Sequence, residues 1–279
     1  MKAEQVTEPV AYHGEGPVWS ERWGGLRWVD MLAGDILTLG AGGTVERRHV
    51  GTFAAVVRPR RGGGAVIAIE RGFALEEPDG TLSALPPLWD DDSVRMNEGG
   101  CDPDGRFYCG SMAFDHRDGA GSVYRLDPDG SVRTVLTGAT ISNGLEWSPD
   151  GSLAYYNDTP TGRTDVFDYD RERGLTNRRP FAETGGAPDG LTVDADGGVW
   201  VAFYDGGVVH RYRSDGALDE VVEVGARQVT ACTFGGPDLD QLFITTSREH
   251  VEPGDDPLAG ALFRAEPGAR GMPVREFAG

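Results

Sequence analysis

The chain has 279 residues, with 26 Lys plus Arg set against 45 Asp plus Glu, and a net charge of −19. A surface that acidic repels phosphate backbones and anionic lipid, so nucleic acid and membranes are poor partners. The length fits two average domains or one large all-β domain, and 42 Gly with 17 Pro suit a fold of many short strands and turns. No apolar run reaches the roughly 18 residues of a transmembrane helix. The first residues, Met1 to Val10, carry Glu4 and Glu8 instead of an apolar signal core, so a cytoplasmic protein is expected. Cys101, Cys109 and Cys232 are odd in number and lack CxxC spacing, which points to reduced thiols and away from a disulfide framework.

A turn followed by a β-branched and aromatic run recurs along the chain. In order, the turn is Glu21–Gly25 before Leu26, Pro59–Gly64 before Ala65, and Asp102-Pro103-Asp104-Gly105 before Arg106. It returns as Ser148-Pro149-Asp150-Gly151 before Ser152, Asp194-Ala195-Asp196-Gly197 before Gly198, and Gly236–Asp240 before Gln241. Pro fixes φ, Asp accepts from its local backbone and Gly supplies positive φ, so each unit closes a tight hairpin. Second hairpins follow, such as Gly121–Leu126 turning through Asp127-Pro128-Asp129-Gly130 into Ser131–Leu136. Six copies about 40 residues apart, four strands to a copy, predict an all-β fold, a six-bladed β-propeller of four-stranded blades. The segment near Gln5 to Pro9 is expected to complete the last blade, since an unclosed ring exposes strand edges. A pair of β-sandwiches is the competing fold and leaves the period unexplained. No linker or shift in composition interrupts residues 1–279, which therefore read as one propeller domain. Trp19, Trp28, Trp147 and Trp200 follow the strand pattern and are expected in the core.

Four polar residues precede these turns without being explained by them. Glu15 lies between Gly14 and Gly16, Asn97 follows Arg95-Met96, and Asn143 and Asp189 each precede Gly-Leu. Asn-Gly and Asp-Gly are also strong turn formers, so each motif alone is ambiguous. Segments entering the innermost strands of a propeller gather around its axis, and two carboxylates with two amide oxygens there form a hard, all-oxygen set for one divalent cation. Without an ion, burying Glu15 beside Asp189 is costly.

At Gly14–Trp19, Arg95–Gly99, Gly110-Ser111-Met112, Ser142–Leu145, Phe167–Asp170 and Pro188–Leu191 the chain resembles the SMP-30/gluconolactonase family, which includes regucalcin and bacterial sugar lactonases. The motifs occur in the family's order and span nearly the whole chain. The resemblance implies a six-bladed propeller, with Glu15, Asn143 and Asp189 as ligands of a divalent metal ion (Ca²⁺, Zn²⁺, Mn²⁺ or Fe²⁺). It further implies Asp189 as the catalytic proton donor and acceptor, and Arg95, Asn97 and Asp115 as substrate-binding residues. The family's RxNDG reads here with Glu98 in place of Asp, and Asp115 is shorter than the family's Glu.

The expected activity is metal-dependent hydrolysis of a small sugar lactone such as gluconolactone. A non-catalytic calcium-binding or regulatory propeller, and an esterase or organophosphate hydrolase using the same ion, are the alternatives. Asp158 reads equally as a pocket residue or as an end-of-strand cap. His13 reads as a wall or surface residue more readily than as a base or ligand. No Gly-x-Ser-x-Gly elbow is present, and no Cys sits beside a His, so an acyl-enzyme route has no support.

Overall fold

The computed structural model describes all residues, Met1–Gly279. It contains six four-stranded antiparallel sheets arranged as a six-bladed β-propeller. Blade 1 begins with the inner strand Gly14–Ser20, blade 2 with Ala54–Pro59 and blade 3 with Val94–Cys101. The inner strands of blades 4, 5 and 6 are Ser142–Trp147, Ala187–Val193 and Val229–Gly235. Each packs against the next, and blade 6 returns to blade 1. The only helical pieces are four 3₁₀ turns of three residues, and no helix is long and apolar enough to cross a membrane.

The repeated turns close as their residue types require. In blade 3 the Gly105 amide donates to the Asp102 carbonyl at 3.0 Å, while Asp102 Oδ1 accepts from the amides of Asp104 and Arg106 at 3.0 and 2.8 Å. Gly105, Gly151 and Gly197 hold φ of 81°, 72° and 83°, which side-chain-bearing residues rarely adopt. Ring closure comes from Glu4–Gln5, which pairs antiparallel with Phe263–Ala265 and supplies the fourth strand of blade 6. The sequence placed this segment near Gln5 to Pro9; the strand itself is Glu4–Gln5, and the Val6 and Thr7 amides continue its bonding to the Leu262 carbonyl.

Aromatic pairs join neighbouring blades. Phe73 meets Phe107 at 5.6 Å, Tyr108 meets Trp147 at 5.2 Å, and Trp200 meets Phe234 at 5.5 Å. Each is edge-to-face, an arrangement favoured by the ring quadrupoles. Trp28, Trp147 and Trp200 are fully buried, whereas Trp19 is half-buried and stacks on Phe243. All three cysteines are free and buried.

The last residues do something the repeat does not announce. After blade 6 the chain runs across the face remote from the site and touches every blade. Gly271 and Arg270 bond to Leu239 and Ala195, Arg275 to Ser148, Ala278 to Gly105 and Phe277 to Pro59, while Glu276 pairs with Arg22 at 2.9 Å. Met272 to Arg275 thereby cover the far mouth of the axis, and the opposite mouth is the one that carries the polar cavity.

Candidate active site

Glu15, Asn97, Asn143 and Asp189 lie inside the inner strands of blades 1, 3, 4 and 5, where the sequence placed them just ahead. Each strand breaks register at that point: between Glu15 and Val18, Met96 and Gly99, Ser142 and Leu145, and Pro188 and Leu191. The extra residue is a β-bulge, which re-aims a side chain that regular pleating would direct elsewhere. Four bulges therefore turn four polar side chains onto one cavity of about 220 Å³ at the open mouth.

Close backbone approach makes this possible. A Cβ on Gly144 would stand 2.6 Å from the Leu191 amide nitrogen and 2.9 Å from the Asp189 carbonyl. Gly144→Ala is expected to push the blade 5 strand outward, costing about 1–3 kcal/mol of stability and displacing Asp189. Thermal unfolding and turnover, measured together, check this; a variant with wild-type values of both would show that the approach is dispensable. Asn157, fully buried, pins the same segment, donating from Nδ2 to the Asp189 carbonyl at 2.6 Å and accepting from Thr164 at 2.8 Å.

A chain of polar contacts runs through two of the four, Asn97 and Asn143, from Arg95 to Thr159. Arg95 Nη1 donates to Asn97 Oδ1 at 2.6 Å, and Asn97 Nδ2 donates to Asn143 Oδ1 at 3.0 Å. Asn143 Nδ2 donates to Thr159 Oγ1 at 2.8 Å. Arg95 is itself buried, its guanidinium 5.1 Å from the Phe53 ring centroid and 5.6 Å from that of Phe114. Burial lowers its pKa to about 10 against the opposing pull of Glu249, Glu15 and Asp189, so it stays charged at neutral pH.

Glu15 and Asp189 are 2% and 5% exposed, and the pKa of each is raised well above the carboxylate range. Burial is the leading cause for both, followed by the charge of Asp189 acting on Glu15 and of Glu98 acting on Asp189. Asp189 Oδ1 is buried with no hydrogen-bond partner, a costly state for a carboxylate. Glu15, Glu98, Asp189 and Glu249 gather around the axis with Arg58 and Arg95 as the opposing cations, so burial and mutual repulsion hold protons on the inner carboxyl groups until a further cation displaces them. No three His, Cys, Asp or Glu side chains anywhere in the protein form a metal-holding group. The candidate ligand set has two carboxyl groups and an amide oxygen, and its crowded buried carboxyls and orphaned oxygen fit one divalent cation.

Glu98, read from the sequence only as a departure from the RxNDG motif, is buried beneath these residues. Its Oε1 accepts from the Gly99 amide at 2.9 Å and from Arg58 Nη2 at 3.3 Å. His13 belongs to the cavity wall. Its Nδ1 lies 2.7 Å from Ser247 Oγ, and burial pushes its pKa down to about 4, leaving a neutral ring.

Two expectations from the sequence need correction or resolution. Asp115 does not reach the cavity: its side chain is 64% exposed and bonded to Arg117 Nη1 at 3.0 Å. The turn after Ala113 carries it outward, and His116, in the left-handed conformation at φ 57°, takes the wall position instead. Asp158 is the strand cap of the two readings. It accepts from the amides of Thr140 and Ile141, as Asp30 does from Tyr12 and His13 at the matching place in blade 1. The residues missed by sequence reasoning, Thr159, Tyr204 and Glu249, sit at or just after the ends of second strands, outside the inner-strand segments searched for polar residues.

A model of the SMP-30/gluconolactonase/LRE-like region matches residues 13–248. The pentonolactonase XacC of Haloferax volcanii is 34% identical over 285 residues, covering 98% of this chain and 97% of its own. Among solved structures, the calcium-binding protein regucalcin of Agrobacterium tumefaciens superposes with a TM-score of 0.93 at 27% identity, over 99% of this chain and 97% of that one. A gluconolactonase of Xanthomonas campestris superposes with a TM-score of 0.76 at 26% identity, over 93% and 87%.

Proposed function

The chain belongs to the SMP-30/gluconolactonase/LRE-like family, and on that premise we propose that it is a divalent-metal-dependent hydrolase opening a sugar lactone in the cytoplasm. The observation that carries this reading is the partnerless oxygen Asp189 Oδ1, on the wall of the same cavity as Glu15, Asn143 and Arg95. Glu15, Asn143 and Asp189 would hold the ion, whether Ca²⁺, Zn²⁺, Mn²⁺ or Fe²⁺. When bound, it would supply Lewis-acid polarisation of the lactone carbonyl.

The residues then have separate tasks. The Asp189 carboxylate takes a proton from the attacking water, through the oxygen not turned to the ion, as the water oxygen bonds to the acyl carbon. The acyl carbon–ring oxygen bond breaks, and Asp189 returns the proton to the ring oxygen, giving the open hydroxy acid. Arg95, held by Asn97 and flanked by two phenyl rings, presents its remaining donors to substrate oxygens in a fixed orientation. Asn97 ties Arg95 to Asn143, so the substrate-binding and metal-holding sets keep one geometry. A lactone is already an activated ester, and this modest set suffices.

Initial rates on gluconolactone, xylonolactone and a phosphotriester, before chelation, after chelation and after metal is restored, test the reading. Lactone turnover is expected to vanish with the metal and return with it. Tight metal binding with no lactone turnover would favour a calcium-binding role like that named for the Agrobacterium relative, and preferential phosphotriester cleavage would move the reaction class.

A further inference from the structure

With Asp115 turned to solvent, the cavity needs another acceptor for substrate hydroxyls. Three carboxylates line it: Glu15, Asp189 and Glu249. The first two are committed to the cation, which leaves Glu249. Its side chain is 24% exposed, against 64% for Asp115. The segment after the second strand of blade 6 is shaped to present it. The Glu249 amide donates to Ser247 Oγ at 2.9 Å, and His250 follows in the left-handed conformation at φ 60°. The carboxylate reaches within 3.3 Å of His13 Nδ1, and it is the carboxylate whose charge bears most strongly on Arg95. It lines the cavity together with Arg95, Tyr204 and Asp189.

We infer that Glu249 is the residue that accepts hydrogen bonds from the hydroxyls of the lactone and sets the preference for polyhydroxylated rings over bare ones. The inference rests on the lactonase reading above and assigns its hydroxyl specificity. Arg95 and Glu249 would provide donors and acceptors from different parts of the wall, a pairing suited to hydroxyls that both give and take hydrogen bonds. Without Glu249, the substrate hydroxyls would enter the cavity lacking a charged acceptor.

The test uses the metal-loaded protein, gluconolactone and the unsubstituted δ-valerolactone. Glu249→Gln is expected to lower the ratio of kcat/KM for gluconolactone over δ-valerolactone roughly ten- to a hundredfold, mostly through KM, which is the loss expected when a hydrogen bond to a charged group is removed. Glu249→Asp should recover part of that ratio. Asp115→Asn should move it less than twofold. Equal falls on both substrates, no fall on gluconolactone, or a larger effect from Asp115→Asn would overturn the assignment. Unchanged thermal unfolding of the variants separates recognition from folding. Wild-type protein that opens neither lactone would defeat the lactonase reading itself, a result distinct from a flat ratio in a working enzyme.

Discussion

Asp189→Asn is expected to lower lactone turnover about 10²–10⁴-fold, the usual contribution of a positioned acid–base group. The substitution is nearly isosteric and keeps a carbonyl oxygen that can still face the cation, so it removes the proton acceptor more completely than the ligand. The bonds that position residue 189 come from its backbone carbonyl, through Asn157 Nδ2 at 2.6 Å, and they survive the change. A fall in kcat with a folded, metal-responsive protein therefore isolates the proton-transfer role. Glu15→Gln offers the contrast: it removes a ligand charge without removing the proposed base, and its defect should shrink as metal concentration rises. Full turnover in Asp189→Asn would remove the assigned base.

The six turns carry Pro, Asp and Gly for reasons local to each hairpin, so blade number and ring closure were legible from a single chain. Glu15, Asn143 and Asp189 were legible because they interrupt that repeat without serving its turns. Their placement within the inner strands was not, because a bulge is a mismatch between two strands and leaves no mark in either one alone. Asp115 failed for a related reason. Spacing from Met112 fixes its distance along the chain, whereas its direction depends on the turn at His116 and on the pull of Arg117, at 3.0 Å. Glu249 was missed because its neighbours Arg248 and His250 look like any polar loop. Only the meeting of blades 6, 1 and 3 around the cavity gives its charge a function. The covering of the far mouth by Met272 to Arg275 is likewise a tertiary event, built from backbone bonds to turns that are far apart in sequence.

Stripping the protein with a chelator and restoring a divalent ion is expected to stabilise it by about 4 kcal/mol when free metal exceeds Kd a thousandfold. For a chain of this size that is roughly 10 °C in Tm. The physical source is the cost of burying Glu15 and Asp189 together with Asp189 Oδ1 unpartnered, which raises the pKa of both carboxyl groups. A bound cation offsets a burial cost that folding alone leaves in place. The carboxylates therefore act in opposite directions in the two states, destabilising the metal-free protein and stabilising the loaded one. Glu15→Gln and Asp189→Asn should each raise the Tm of stripped protein, by about 1–3 kcal/mol equivalent, while shrinking the metal-induced shift; the double variant should show almost none. A simple loss of packing would lower both values together. Calorimetric scans of the wild type, the two single variants and the double variant, with and without Ca²⁺ or Mn²⁺, distinguish these outcomes. A shift of wild-type size in the double variant would place the cation elsewhere, and with it the chemistry assigned to this mouth of the ring.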